Sequence, residues 1–251
     1  MSFGLCGASA TCVRLMERVL RGLSYKICLV YLDDIIVYSK SSSEHIDNLS
    51  QVFDCLRNAG LKINPQKCSL FKDQVIFLGH VVSARGIATD HSKLESVTNW
   101  PTPKNVKQIR GFIGLCSHNR KYIKSFADIA RPLHQLTEVN RKFEWTETCK
   151  KAFDTLKTVL TSAPILRYHT EDDLFILDTD ASNEGMGSVL SQVQNGRERV
   201  ICYFSKVFSK QERRYCVTCR ELLVVVASVK HFHYYLYGRR FIVRSDHGAL
   251  R

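Results

Sequence analysis

Two adjacent carboxylates stand inside an apolar run of the sequence. The stretch LVYLDDIIVYS places Asp33 and Asp34 between residues 27–31 and 35–38, which are mostly strand formers. The pattern predicts a β-hairpin with both aspartates at its tip. Aspartate is common in turns, so a plain structural turn is one interpretation. Two ionised carboxylates so close together repel each other, and a bound Mg²⁺ or Mn²⁺ would relieve that repulsion, so a metal site is the other.

Asp180, Glu221 and Asp246 are three more candidates for carboxylate chemistry. Two of them end predicted strands and Glu221 lies on a predicted helix, so only folding can bring the three together. Alternation along a strand puts Asp178 on the same face as Asp180, and the pattern alone does not choose between them. Each acid is an ordinary turn or surface residue in the simplest interpretation. As a cluster, the three are a candidate metal site.

These acids need a scaffold, and hydrophobic periodicity predicts one. Helical spacing of apolar residues covers residues 9–23, the stretch between the serines at 41–43 and Gly60, and residues 148–160 and 214–236. Strand patterns cover residues 61–64, 75–82, 173–182, 185–192, 199–209 and 241–250. Pro101 and Pro103 mark a break before a further helix. A small antiparallel sheet with helices on one side would bury the first two helical stripes, which predicts an α+β architecture.

The chain is strongly basic. Lys and Arg number 36 against 24 Asp and Glu, which gives a formal net charge of +12 and favours a polyanionic partner such as nucleic acid. Between residues 92 and 126 one acid, Glu95, accompanies seven basic residues: Lys93, Lys104, Lys107, Arg110, Arg120, Lys121 and Lys124. A solvated helix face is the ordinary explanation. Few of these charges have an acid one helical turn away, however, and this favours contact with phosphates.

The cysteine pattern argues against a disulfide framework. Ten cysteines are scattered along the 251 residues, no basic and apolar leader opens the sequence, and no apolar run is long enough to span a bilayer, so we expect a reducing intracellular compartment. Cys216 and Cys219, followed by His231 and His233, could be mistaken for a zinc site. On one predicted helix Cys219 and His231 would lie about 18 Å apart, too far to share a metal. We therefore expect ordinary helix residues here.

Seven blocks follow one another along the chain. They are FGL at Phe3, YLDDI at Tyr31, HIDNLSQVFDCLRNAGLKINPQKC at His45, VIFLGHVVSARGI at Val75, WPTPKNVKQIRGFIGL at Trp100, FEWTETCKKAFDTLKTVLTSAPIL at Phe143 and DASNEGMGSVLSQ at Asp180. In this order they closely resemble the pol polyprotein of gypsy-class LTR retrotransposons, and the resemblance covers nearly the whole chain. It implies an α+β fold with three parts. These are the C-terminal part of a reverse transcriptase palm at 1–82, thumb and connection at 83–170, and the N-terminal part of an RNase H-like mixed sheet with helices at 171–251.

The resemblance also implies roles for the candidate residues. Asp33 and Asp34 look like the metal-binding aspartates of the palm. Asp180, Glu221 and Asp246 match three RNase H carboxylates, with Asp180 preferred to its neighbour two residues earlier. Each site would hold two Mg²⁺ or Mn²⁺ ions. The palm site would synthesise DNA on an RNA template from a DNA primer and deoxynucleotides. The RNase H site would cleave the RNA strand of RNA–DNA hybrids. Contacts with nucleic acid are expected from Phe3, Gly4, Lys104, Lys107, Arg110, Arg120, Lys121 and Lys124.

Departures from the family's pattern limit these expectations. The chain begins at the FGL block, so we expect the palm strand that carries a further aspartate to be missing and the polymerase to be inactive in this chain alone. Ser9, Cys12 and Val13 stand where the family has Pro, Phe and Gln. His118 and Asn119 stand where the family has paired aromatic residues in the thumb. These changes affect the positioning of nucleotide and template.

The other end raises the same question for RNase H. The sequence stops at Arg251, before the family's last helix and its remaining acidic motif. An alternative is therefore a non-catalytic remnant that binds nucleic acid through its basic thumb. A third interpretation leaves the acids as turn caps with no chemistry. We expect no membrane association and a location in the cytoplasm, within virus-like particles, or in the nucleus.

Overall fold

The computed structural model describes residues 6–138, 141–162 and 164–250. Two compact units make up the chain, residues 1–77 and residues 78–251. The mixture of helices and sheets confirms the α+β fold class.

The first unit packs two helices against a hairpin. It contains the helices α1 (Ala8–Val19) and α2 (Ser42–Asn58) and the strands β1 (Cys28–Tyr31), β2 (Asp34–Val37) and β3 (Gln74–Phe77). Ser41 caps α2 by accepting a hydrogen bond from the Glu44 amide at 3.2 Å, as the serine run predicts. The core of the unit consists of Met16, Leu20, Cys28, Val52 and Leu56. Both predicted helices are confirmed in place, with α1 ending at Val19.

The strand predicted at residues 61–64 is wrong. No strand forms there, because Asn64 accepts a hydrogen bond from the Gln66 amide at 3.1 Å and starts a 3-10 turn, Pro65–Lys67. Proline at the first position of that turn has no amide hydrogen to donate to a strand ladder, so the turn replaces the ladder.

The second unit opens with a hairpin and a helical layer. The hairpin pairs β4 (His80–Ser83) with β5 (Gly86–Thr89), and the helices are α3 (His91–Thr98), α4 (Val106–His118), α5 (Phe126–Gln135) and α6 (Glu147–Thr161). Asn105 caps α4 and Thr146 caps α6. The fully buried side chains of this layer include Ile109, Phe112, Leu133, Leu156 and Leu160. The break before α4 and the helix at 148–160 are both confirmed.

A four-stranded mixed sheet follows in the same unit. Its strands are β6 (Phe175–Ala181), β7 (Gly185–Gln194), β8 (Arg197–Val207) and β9 (Phe241–Ser245), in the order β8-β7-β6-β9. The pairs β8–β7 and β7–β6 are antiparallel, whereas β6 and β9 are parallel. Between β8 and β9 lie the helices α7 (Val217–His231) and α8 (His233–Leu236). The four predicted strands are confirmed.

The single helix predicted over residues 214–236 is partly wrong. Tyr215 and Cys216 have extended backbone, so α7 begins only at Val217, and Phe232 interrupts the helix before α8. The interruption lets both Phe232 and Leu236 enter the core with the strand residues Phe175 and Leu177. Tertiary burial therefore overrides the continuous apolar periodicity.

Helices cover both faces of this sheet. On one face Ser228 of α7 donates a hydrogen bond to Ser188 of β7 at 2.8 Å. On the other face the amide of Ala127 in α5 donates to the Ser205 hydroxyl of β8 at 3.0 Å. Arg120, in the 3-10 turn before α5, donates to the Ser205 carbonyl. The helical layer and the sheet are thus packed together within the second unit. Among the described residues, no helix has both the length and the apolar character required to cross a bilayer.

Gly86 gives a test of this packing. Its φ is +129°, and a Cβ there would lie 2.0 Å from the Leu166 carbonyl oxygen, which accepts a 2.8 Å hydrogen bond from the Ile87 amide. We expect Gly86→Ala to lower the free energy of unfolding by about 2 kcal/mol or more, because the added methyl group must break the hydrogen bond between Ile87 and Leu166. Urea denaturation measures this change. Gly114→Ala is the matched control, since nothing lies within 4 Å of that position in α4. It should gain up to about 1 kcal/mol in helix propensity. An unchanged free energy of unfolding in Gly86→Ala would contradict the close approach of residue 86 to the Leu166 carbonyl.

Candidate active site

Three acidic side chains meet at one end of the mixed sheet. Oxygen atoms of Asp180, Glu221 and Asp246 all lie within 4.8 Å of one another. The register of β6 against β9 pairs Thr179 with Ser245. The residues that follow them, Asp180 and Asp246, therefore lie at the same end of the sheet. Glu221 reaches this end from the second turn of α7. The structure therefore brings together the three acids that the sequence separates.

The first turn of α7 is bound to the segments that carry the other two acids. Arg220 donates to the Asn183 side-chain oxygen at 2.9 Å and to the Ser182 carbonyl at 3.3 Å, just after Asp180 in sequence. Thr218 shares a 2.9 Å hydrogen bond with His247, next to Asp246. Sequence reasoning missed these positioning contacts, since no local pattern connects residues so far apart in the chain.

The electrostatics of the cluster centre on Glu221, whose side chain is buried while Asp180 and Asp246 are exposed. Burial raises the pKa of the Glu221 carboxyl, and the charges of Asp246 and Asp180 raise it further, against smaller opposing effects of His247 and the Ala181 amide. In the part of the chain that the structure describes, its Oε2 atom is buried and has no hydrogen-bond partner. Buried polar atoms normally have a partner. A cluster of carboxylate oxygens with an unsatisfied buried atom fits a divalent cation that prefers oxygen ligands.

Asp178, which the strand pattern could not separate from Asp180, has a different partner. Arg244 donates to both of its carboxylate oxygens at 2.6 Å and also to Glu198 at 2.7 Å. Glu198 accepts a further hydrogen bond from Ser191, and these two donors lower the pKa of its carboxyl, Ser191 contributing the most. Asp178 therefore belongs to an ion-pair network on the sheet and is not part of the three-acid cluster.

Asp33 and Asp34 lie on the predicted hairpin, but not both at its tip. Tyr31 pairs with Asp34, so the tip residues are Leu32 and Asp33, and Leu32 has a φ of +56°. That conformation is uncommon for a branched side chain, and strained residues concentrate at functional sites. Both aspartates are exposed, and among the described residues no further acid, histidine or cysteine completes a metal-binding group with them. Their metal-binding role stays a prediction.

The structure divides the predicted nucleic-acid contacts into three groups. Phe3 and Gly4 lie outside the described residues. The exposed residues are Lys104, Lys107, Arg110, Arg120 and Lys124. Two of these also donate to backbone carbonyls, Arg110 to Thr137 at 3.3 Å and Arg120 to Ser205. Lys121 is half-buried, with its Nζ 5.2 Å from the Tyr122 ring centroid. Burial lowers the pKa of Lys121. None of these placements tests a nucleic-acid contact, so all eight assignments stay predictions.

The two residues that replace the family's thumb aromatics also have structural partners. His118 stacks on His80, with ring centroids 5.3 Å apart and planes only 3° from parallel. Asn119 is buried and donates to the Leu115 carbonyl at 3.3 Å. Both residues stabilise the end of α4.

Comparison with known proteins identifies the chain's family. Residues 1–82 match the family described as reverse transcriptase (RNA-dependent DNA polymerase), and residues 145–243 match the RNase H-like domain found in reverse transcriptase. The whole chain is 41% identical to the retrovirus-related Pol polyprotein from transposon 297 of Drosophila melanogaster. The chain is a reverse transcriptase and RNase H segment of the retrotransposon Pol family. The resemblance seen in the seven sequence blocks is thereby confirmed.

Two further Pol relatives match this segment over its whole length. It is 36% identical to the Pol polyprotein from transposon gypsy of Drosophila melanogaster and 32% identical to the Tf2-3 polyprotein of Schizosaccharomyces pombe, and each match covers 100% of the segment. The segment spans about a quarter or less of these polyproteins, 23% for transposon 297, 25% for gypsy and 19% for Tf2-3.

Two foamy viral structures have the same fold as the Pol segment. The protease-reverse transcriptase solved with dsDNA has a TM-score of 0.88 at 22% identity, covering 99% of the segment and 52% of that chain. The same viral protein solved with an RNA/DNA hybrid has a TM-score of 0.85 at 21% identity, covering 98% of the segment and 33% of that chain. Reverse transcriptase and RNase H families use divalent metal ions, which agrees with the oxygen-rich cluster on the sheet edge.

Replacing Asp180 tests the electrostatics of the cluster. Because the pKa of Glu221 is raised in the folded state, ionising it costs stability, and the metal-free protein should lose stability as the pH rises above the ordinary Glu value. Asp180→Asn removes one repelling charge, so the loss between pH 5 and pH 8 should shrink by a few tenths to about 1 kcal/mol. The measurement is urea denaturation in EDTA at both pH values.

The matched control for this pH experiment is Asp172→Asn. Asp172 is exposed and lies outside the three-acid cluster. The control should show the same pH dependence as the wild type. An equal change in both variants would mean that the effect comes from net charge and not from the cluster.

Proposed function

We propose that the Asp180, Glu221 and Asp246 cluster hydrolyses the RNA strand of RNA–DNA hybrids within a retrotransposon Pol polyprotein. The observation that carries this proposal is the convergence of the three carboxylates around the unpartnered, buried Oε2 of Glu221. The family of the chain supports the same activity. Such a polyprotein would work inside the cell, in the cytoplasm or the nucleus.

The three acids would hold two Mg²⁺ or Mn²⁺ ions. Bound ions of this kind lower the pKa of a water molecule and neutralise charge on the phosphate under attack. Glu221 would contribute from its buried position on α7, while the exposed Asp180 and Asp246 leave the edge open to a bulky substrate. Arg220 and Thr218 keep the helix and both strand ends in one arrangement, so the donor atoms are positioned before substrate binds.

The proposed partners are an RNA template, a DNA primer and their hybrid. The foamy viral protein of the same fold was solved with dsDNA and with an RNA/DNA hybrid, which supports this choice. Nucleic acid would be contacted by the exposed basic residues Lys104, Lys107, Arg110, Arg120 and Lys124, as well as by Lys121, Phe3 and Gly4. The net charge of +12 favours the same partners.

A second proposed activity belongs to the complete polyprotein. Two adjacent exposed carboxylates, one at the hairpin tip and one at the start of β2, follow a residue with φ of +56° and support a metal site for DNA synthesis at Asp33 and Asp34. Deoxynucleotides would be its substrates. We propose that this chain alone does not polymerise DNA. The alternative for the whole chain is binding of nucleic acid without catalysis, and the cleavage experiment separates it from RNase H activity.

Hybrid cleavage tests the proposed RNase H activity. The wild-type chain, given a fluorescent RNA–DNA hybrid and Mg²⁺, should cleave the RNA strand and stop when EDTA is added. Glu221→Gln should reduce the rate at least about 100-fold, because an essential ionic group is removed. The exposed control Asp172→Asn should retain wild-type activity.

Two other outcomes are informative. Equal cleavage by the wild type and by Glu221→Gln would mean that a contaminating nuclease is responsible. Hybrid binding without any cleavage, from a wild-type sample that melts cooperatively, would favour the non-catalytic alternative.

The basic side chains can be tested through the salt dependence of duplex binding. For each phosphate contact that is lost, the slope of log K against log salt should become shallower by about 0.9 on duplex DNA. The double variant Lys104→Gln, Lys107→Gln should therefore have a slope shallower by up to about 2 than the wild type. Lys150→Gln is a suitable control, because this exposed lysine on α6 already faces Glu147 at 3.8 Å. Identical slopes for all three proteins would remove these two lysines from the proposed interface.

A further inference from the structure

Two exposed thiols occupy the start of α7. Cys216 is the N-cap residue of this 15-residue helix, and Cys219 is its third residue. The sequence pattern predicts both within one continuous helix, as ordinary helix residues. In the structure they are instead the two ends of one helical turn at a helix N-terminus. Neither the metal cluster nor the proposed catalysis uses them.

The distance across this turn suits a disulfide. Residues at the N-cap and the third helical position have Cα atoms about 5 to 6 Å apart, within the range of about 4.4 to 6.8 Å that disulfides accept. The neighbours Tyr215 and Val217 are 48% and 53% exposed, so a small molecule can reach the turn. All ten cysteines of the chain are free thiols.

The surroundings of Cys216 favour a reactive thiolate. No acidic residue lies in the first turn of α7, and the free amides of a helix N-terminus attract negative charge. In the helix geometry the side chain of Cys216 makes no capping hydrogen bond, so its sulfur is not held by the backbone. The Cys219 amide lowers the pKa of Cys216 the most, followed by the Cys219 thiol. Low-pKa, accessible cysteines in a CxxC spacing are the reactive kind.

The other cysteines lack this combination. Buried cysteines are Cys28, Cys116, Cys149 and Cys202, and half-buried ones are Cys12 and Cys55. Cys6 is exposed but has no second cysteine three residues away. Cys68 is exposed, but its thiol donates to the Asn64 carbonyl at 3.3 Å, and the residue follows the three-residue 3-10 turn Pro65–Lys67. It is therefore a fair comparison for exposure without the helix N-terminus and the second thiol.

We propose that Cys216 and Cys219 form a redox-active dithiol that exchanges with low-molecular-weight disulfides of the glutathione type. The thiolate of Cys216 attacks one sulfur of the small disulfide, forming a mixed disulfide and releasing one small thiolate. The thiol of Cys219 gives its proton to solvent and attacks the Cys216 sulfur, which releases the second small thiolate. Two electrons pass from the protein dithiol to the small disulfide, and excess small thiol reverses the exchange.

Mass spectrometry of the full chain tests the proposal. Trypsin cuts after Arg214 and Arg220, so the peptide YCVTCR contains both thiols and no other cysteine. The reduced protein is incubated with oxidised glutathione, quenched with acid and treated with iodoacetamide. We expect YCVTCR to appear unalkylated and lighter by two hydrogen atoms, and to return to the doubly alkylated form after dithiothreitol. In the reduced protein, Cys216 should react with iodoacetamide at pH 7 at least several-fold faster than Cys68.

Single variants separate the two roles. Cys219→Ser should trap glutathione on Cys216, because no second thiol resolves the mixed disulfide. Cys216→Ser should slow modification of Cys219 severalfold, since the attacking thiolate is gone. Cys68→Ser should behave as the wild type does. Cooperative melting of each variant confirms that it is folded.

Three outcomes would overturn the proposal. The first is alkylation of Cys216 and Cys219 at the rate of Cys68, with no disulfide inside YCVTCR. The second is a disulfide from either cysteine to a different part of the chain. The third is protection of both thiols by Zn²⁺ together with resistance to oxidised glutathione, which would make the pair a metal site instead. None of these measurements depends on hybrid cleavage, so the redox proposal and the proposed RNase H function succeed or fail separately.

Discussion

The parallel pairing of β6 with β9 decides where the candidate site forms. Parallel neighbours need a long crossover connection, and here the crossover contains β7, β8 and α7. Because the register joins Thr179 to Ser245, the following residues, Asp180 and Asp246, lie side by side at one end of the sheet. The helix in the same crossover supplies Glu221. A single strand pairing therefore assembles acids from three distant parts of the sequence.

The assembled site works against the stability of the protein that contains it. Burial of Glu221 next to two other carboxylates raises its pKa and leaves one oxygen without a partner. A hydrophobic side chain of similar size at that position would avoid both costs. Contacts of Thr218 and Arg220 hold the arrangement in place despite the repulsion. Strain kept in place by surrounding contacts is typical of functional sites, and here it has an identifiable electrostatic cause.

Local sequence patterns predicted much of this fold and part of the site. Alternating residues gave the four strands of the mixed sheet, and the serine run gave the cap of α2. The choice between Asp178 and Asp180 was beyond any local pattern, because it depends on Arg244, a residue paired only through the long-range β6–β9 register.

The errors in the sequence predictions have a related origin. The break at Phe232 was missed because the apolar spacing continues through it, while burial of that ring under the sheet decides the outcome. Residues 61–64 were assigned to a strand on composition, although a strand also needs a partner, and a proline turn follows at once. Local periodicity describes which face of a segment is apolar. It does not say what the segment packs against.

The packing of α5 on β8 has a consequence for how this protein can be divided. The RNase H-like match begins at residue 145, yet the Ser205 hydroxyl and carbonyl are bound by Ala127 and Arg120, well before that point. Tyr122 is fully buried in the same core as Phe175 of the sheet. A protein that begins at residue 145 would expose this face of the sheet to water and leave the polar groups of Ser205 without their partners. The smallest piece that keeps the sheet covered on both faces therefore begins ahead of the turn Arg120–Tyr122, and family boundaries are a poor guide for cutting the chain.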